Sequence, residues 1–153
     1  MHIFRLTKNK YGTVLSGKGA AMFGERWNSK GNEIIYTAEN RSLAMAEVAV
    51  HLMIGTLPSN YEMLTIFVPS SIKVREIKLN ELPENWNAFP HPKATQKIGD
   101  EFILENKYCL LKVPSVVTKG DFNILINPHH PDFKKIKVIT SEPFPFDRRL
   151  FKP

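Results

Sequence analysis

Short apolar runs separated by turn-forming residues dominate this chain. Ile3 to Leu6, EIIYT at residues 33–37, Met63 to Val68, Cys109 to Val113, Asn123 to Ile126 and Ile136 to Thr140 are rich in β-branched, aromatic or aliphatic side chains. Runs this short, bounded by residues such as Gly31, Asn32 and Pro69, predict strands. Ile72 to Leu79 alternates imperfectly. Ile72, Val74, Glu76 and Lys78 share one side, and Lys73, Arg75, Ile77 and Leu79 the other, as suits an edge strand.

Two segments read with a helical period. Ser42 to Ile54, SLAMAEVAVHLMI, is apolar at nearly every position and predicts a helix buried on most of its circumference. Asn40 or Ser42 can cap its start, and Gly55 followed by Pro58 ends it. A second helix is predicted from Pro92 to Glu105, with Gly99 as a weak point. There is no internal repeat, and the prolines are scattered apart from Pro143, Pro145 and Pro153. Many short strands with few helices predict a single α+β domain over residues 1–153, built on a mainly antiparallel sheet.

Composition narrows the setting. A chain of 153 residues can bury a core without staples. Its one cysteine, Cys109, lies in an apolar run and reads as an inert core thiol, consistent with a cytoplasmic location. The opening MHIFRLTKNKYG has no signal-peptide pattern, and no segment approaches the roughly 20 apolar residues of a membrane helix. Lysine and arginine exceed aspartate and glutamate by 21 to 15, giving +6. That charge suits nucleic acid, a phosphorylated ligand or an acidic protein segment. It is spread out, however, with Lys134, Lys135 and Lys137, then Arg148, Arg149 and Lys152, as its densest patches. No basic stripe with interleaved aromatics appears, which argues against direct nucleic-acid contact.

Glu47 is the oddity on the apolar helix, on one projection with Leu43, Val50 and Ile54 and four residues before His51. A carboxylate there needs a partner. Either a core arginine or the helix flank satisfies it, or it faces a ligand pocket. GERWNSKG, residues 24–31, offers the guanidinium of Arg26 for phosphate or carboxylate oxygens. Trp27 there fits a core anchor, and Asn28 and Gly31 fit turns. Tyr36 ends a buried strand and either packs or stacks on a flat heterocycle. Ser115 follows Pro114 without a Gly-x-Ser-x-Gly elbow, so nucleophilic serine chemistry is unsupported. His129 and His130 stand without CxxC or HExxH, so no metal is expected. The glycine-rich signatures of Rossmann and P-loop folds are missing.

Taken in order, these pieces resemble the RES-domain toxins of RES/Xre type bacterial toxin–antitoxin systems. The resemblance covers most of the chain: FRL at Arg5, SGKGAAMFGERWNSKG, IIYTAENRSLAMAEVAVHL, LPENW, TQKIGDEF, VPSVV and NILINPHHPDF. Arg26, Glu47 and Ser115 match the arginine, glutamate and serine that name the family. Tyr36 matches the accompanying tyrosine, and Asn127 the asparagine of its NP-x-HP segment. One departure stands out: the family commonly has two glycines before the arginine, and this chain has Gly24 then Glu25.

The resemblance implies an ADP-ribosyltransferase-like split antiparallel sheet with a few flanking helices, enclosing a cleft for NAD as substrate. It implies cleavage of the nicotinamide–ribose bond by hydrolysis or phosphorolysis, with ADP-ribosylation of a protein as the alternative. In that scheme Glu47 stabilises the oxocarbenium-like centre, Arg26 holds the pyrophosphate or ribose, Tyr36 covers nicotinamide and Ser115 bonds the ribose or carboxamide. Arg5, Trp27, Asn28 and Asn127 complete the expected binding set. The implied partners are an Xre-like helix-turn-helix antitoxin that blocks the active site, and a second copy in a homodimer. An RNA-binding toxin and a non-catalytic partner-binding module are the competing classes.

Overall fold

The computed structural model describes residues 1–52 and 54–152. Its strands are β1 (His2–Lys8), β2 (Ile35–Ala38), β3 (Tyr61–Phe67), β4 (Val74–Glu76), β5 (Leu110–Pro114), β6 (Phe122–Ile126) and β7 (Lys137–Pro143). The helices are α1 (Lys18–Phe23), α2 (Arg41–Ala49) and α3 (Lys93–Glu105), and short 3-10 turns follow β1, β4, β6 and β7. All seven expected strands are present, with bounds shifted by up to three residues and β4 shorter than its sequence pattern. The strands form one sheet in the order β4-β5-β6-β2-β1-β3-β7.

The expected antiparallel character holds for every pairing but one. β4 and β5 run parallel, with Val74 opposite Leu110. The cause is topological: the chain passes through α3 between these strands, and such a crossover returns it in the same direction. The join between β1 and β2 is the narrow point of the sheet, with Phe4 opposite Ala38 as its one registered pair. By contrast, β1 matches β3 along its whole length, from His2–Phe67 to Lys8–Tyr61. The sheet is therefore close to split at its centre.

Apolar side chains fill three clusters around this sheet. Ile3, Leu64, Ile66, Leu110 and Ile126 anchor one. Leu6, Leu43, Ala44, Met63 and Phe146 pack under α2. Trp27, Ile34, Phe102, Leu111 and Leu125 pack under α3. Alternation along β5 and β6 explains the division, since Leu110 and Leu111, or Leu125 and Ile126, point to opposite faces.

The helix expected from Ser42 to Ile54 is shorter than its pattern. Its α-helical part ends at Ala49; Met53, in the remainder, lies outside the described residues, as does Pro153. Asn40 is the cap, accepting the Leu43 N–H at 2.7 Å. Nor is α2 buried all round. Only Leu43 and Ala44 are buried, and Val50 and Ile54 beyond it are exposed. The apolar excess has another use, because this helix forms a wall of the central cavity.

Candidate active site

A cavity of about 780 Å³ opens where β1 and β2 part. That volume lies within the roughly 300–1,000 Å³ of small-molecule sites. Phe4, Arg5 and Leu6 of β1 line it together with Tyr36, Thr37 and Ala38 of β2. Successive strand residues point to opposite faces, so a closed sheet could not present both runs to one space. The narrow central join is what makes the cavity. α2 closes one side with Ala44, Glu47 and Val48, and the 24–31 loop brings Arg26 and Trp27.

Glu47 meets Ser115 here. The Ser115 hydroxyl donates to Glu47 Oε1 at 3.1 Å. Ser115 Oγ in turn accepts the N–H groups of Val117 and Thr118, each at 3.1 Å. Two backbone donors on its lone pairs leave the hydroxyl proton directed at the carboxylate. Ser115 is buried and is not itself a lining residue. Its geometry orients Glu47: among the described residues no arginine forms a salt bridge with it, and the carboxylate is half-buried at the helix flank, on the cavity wall.

Two guanidinium groups share the cavity. Among the described residues Arg5 donates a single long hydrogen bond, to the Ser16 carbonyl at 3.4 Å, and its burial lowers its pKa. Arg26 donates through Nη1 to the carbonyls of Trp86 at 2.8 Å and Ala88 at 3.0 Å. Burial lowers its pKa too, opposed by the charge of Glu47. Among the described residues neither arginine enters an ion pair. A desolvated guanidinium without a direct ion pair favours an anionic ligand.

Tyr36 lines the cavity with its hydroxyl already engaged. It donates to Asn28 Oδ1 at 2.7 Å and accepts the Trp27 N–H at 3.1 Å. Burial pushes its pKa far upward. The phenol is therefore a clamp on the 24–31 loop, and only its ring remains to face a ligand. Asn28 lies outside the lining. It is fully buried and donates to the carbonyls of Ala20, Ser29 and Asn32, shaping the loop from within. Trp27 serves both purposes, as a core residue 3% exposed and as part of the wall.

α3 holds this loop in place. Gln96 donates to the carbonyls of Glu25 and Asn28, and Asp100 accepts from Ser29. Gly99 lets the helix approach, since a Cβ there would meet the Trp27 carbonyl oxygen at 1.6 Å. Glu25, the family departure, is exposed and lines the cavity.

Asn127 does not join the cluster. It is buried, donates to Asn106 Oδ1 at 2.8 Å and accepts the His129 N–H at 2.9 Å. It fastens loops away from the cavity. Lining residues that no sequence motif marked include Phe89 and His91, while Val116, Val117 and Asn123 line it from within the VPSVV and NILINPHHPDF segments.

The α+β fold and this site define an enzyme-like domain: a carboxylate oriented by a serine, beside two arginines, over a cavity of ligand size. Residues 2–147 match the RES domain family, and the chain belongs to it. It is 37% identical over 140 residues to a protein of Sphingobium sp. named Prs ADP-ribosylating toxin, covering 90% of this chain and 87% of that protein. It is 33% identical over 152 residues to Toxin Res of Yersinia enterocolitica, covering 98% and 99% respectively. Among solved structures it resembles the M. tuberculosis MbcT-MbcA toxin–antitoxin complex, with a TM-score of 0.77 over 98% of this chain and 86% of that one. Sequence identity there is 19%, so that likeness concerns the fold.

Proposed function

We propose that this chain is the toxin of a toxin–antitoxin pair and that it consumes NAD by breaking the nicotinamide–ribose bond. The observation that carries the reading is Glu47, held by Ser115 at 3.1 Å, on the wall of a cavity shared with Arg5 and Arg26. The two arginines suit the two phosphates of a dinucleotide. As the glycosidic bond breaks, its electron pair leaves with the nicotinamide nitrogen and positive charge grows on the ribose. A fixed carboxylate in a partly dry site stabilises that charge. It then takes the proton of the attacking acceptor. The ring of Tyr36 covers nicotinamide, and its locked hydroxyl moves no proton. Ser115 acts through Glu47 as a positioning residue.

A second reading, transfer of ADP-ribose to a protein, is favoured by the relative at 37% identity that is named as an ADP-ribosylating toxin. Labelled NAD separates the two. Purified protein with NAD, with and without phosphate, yields free ADP-ribose for hydrolysis or ADP-ribose-1″-phosphate for phosphorolysis. A labelled band that forms only with lysate marks transfer. NAD unchanged under all three conditions overturns the proposal.

An antitoxin that covers the cavity follows from the same reading, supported by the toxin–antitoxin complex that shares the fold. Val50 and Phe89 place exposed apolar surface on the cavity wall for such a partner. The finer expectations are a helix-turn-helix antitoxin and a homodimer; sedimentation of the toxin alone and of the co-expressed pair reads the second.

A further inference from the structure

We propose that Asp121, acting through Asn40, is a positioning device that sets where Glu47 sits over the cavity. The inference rests on the reading of Glu47 as the residue that acts on NAD. It begins from the segment between β5 and β6, residues 115–121, which touches α2 at two places. At one end Ser115 binds Glu47. At the other, the Asp121 carboxylate accepts from Asn40 Nδ2 at 3.3 Å. Asn40 and Glu47 are seven residues apart, about 10 Å along a helix axis. The packing of Leu43 and Ala44 seats α2 on the sheet, and two contacts that far apart set its direction there.

The segment itself is stiff. Ser115 N–H donates to the Asp121 carbonyl at 2.9 Å, and Asp121 N–H donates to the Thr118 carbonyl at 3.1 Å. Gly120 takes a φ of +99°, which permits the tight return. The neighbouring Glu39 adds a rivet, its carboxylate accepting the Phe122 N–H at 3.0 Å. A closed circuit results: Glu47, down α2 to Asn40, across to Asp121, through the turn to Ser115, and back to Glu47. Val116 and Val117 lie on this circuit and line the cavity, so the turn that orients the carboxylate also builds the wall beside it.

Asn40 does two jobs with two ends of one amide. Its oxygen caps α2 at Leu43, and its nitrogen reaches Asp121. These jobs separate by substitution. Asn40→Asp keeps a capping oxygen, because aspartate caps as well as asparagine. It also sets one carboxylate against another at Asp121, which repels. Asn40→Asp combined with Asp121→Asn re-forms an amide-to-carboxylate bond with donor and acceptor exchanged.

Purified Asn40→Asp and the double variant are assayed for NAD turnover and Tm, and both are expressed without antitoxin to score growth arrest. The expected result is a kcat about ten- to hundred-fold lower for Asn40→Asp, the range of a displacement near 1 Å. KM and Tm stay close to those of the unaltered protein, and the double variant recovers most of the lost kcat. An unchanged kcat in Asn40→Asp, a double variant no faster than the single, or a kcat loss that simply follows Tm overturns the proposal. If the unaltered protein leaves NAD intact while growth arrest is lost and regained in the same order, the NAD reading falls and the positioning stands.

Discussion

Tyr36→Phe separates a structural phenol from a catalytic one. The substitution keeps the ring and removes an oxygen that serves Asn28 Oδ1 at 2.7 Å and the Trp27 N–H at 3.1 Å. Asn28 and Trp27 are both buried, and the hydrogen bonds of neither offer a replacement for the lost oxygen. Leaving a buried donor or acceptor unpaired costs about 1–3 kcal/mol each. The pair therefore predicts a loss of roughly 2–6 kcal/mol. For a chain of 153 residues this lowers Tm by roughly 5–20 °C. Differential scanning fluorimetry or calorimetry reads it. Activity per folded molecule, measured well below Tm, should keep kcat within a few-fold, because the locked hydroxyl carries no proton. A Tm within a degree of the parent, or a kcat loss beyond about a hundred-fold, refutes the reasoning, since the latter is what removal of an acid–base group costs.

The same residue fixes a pH dependence. Burial holds the Tyr36 phenol protonated in the folded chain where an unfolded tyrosine, near its ordinary value of about 10, ionises. The unfolded state then binds fewer protons than the folded one, so stability falls as pH rises past about 10. Tyr36→Phe should abolish that component of the alkaline loss.

Other residues give sharp expectations. Ser115→Ala removes the donor to Glu47 and the acceptor for two loop N–H groups; kcat should fall about ten- to hundred-fold, the worth of one hydrogen bond to a charged group, and an unchanged steady-state rate would count against the positioning role. Gly99→Ala drives a Cβ into the Trp27 carbonyl; it should cost on the order of 3 kcal/mol or more in urea denaturation, whereas an unaltered midpoint would mean that α3 does not approach the loop this closely. Cys109 is 1% exposed, and burial pushes its thiol up to about 12. A disulfide reagent at pH 8 should label it only after denaturant is added, and prompt labelling of native protein would contradict the core packing.

Much of this architecture is legible along the chain because each strand carries its own apolar run and its own turn residues. Three features are not. α1 is a six-residue helix, KGAAMF, too short to establish a period and flanked by Gly17 and Gly24. The parallel β4–β5 pair depends on where α3 carries the chain, which no local pattern states. The early end of α2 reflects a wall facing a cavity rather than a core, and apolar composition alone cannot distinguish the two.

The site divides in the same way. Arg26, Tyr36 and Glu47 reach one cavity, and Ser115 stands directly behind Glu47. Motif order identifies such positions but does not aim their side chains. Hence Asn28 and Asn127, equal candidates in sequence, turn inward to hold loops. Asn40 and Asp121 carried no chemical signature at all, because an N-cap and a turn aspartate recur in countless folds. Their connection exists only in three dimensions.

Glu47 bears the central claim, and one comparison tests it directly: nicotinamide release from NAD by the unaltered protein and by purified Glu47→Gln. The substitution is nearly isosteric and keeps an oxygen to accept the Ser115 hydroxyl, so fold and cavity should persist. The prediction is steady release by the unaltered protein and a rate at least about a hundred-fold lower for Glu47→Gln at equal Tm, in the range of a lost electrostatic stabiliser. NAD left intact by the unaltered protein, or equal release by the two, would contradict it.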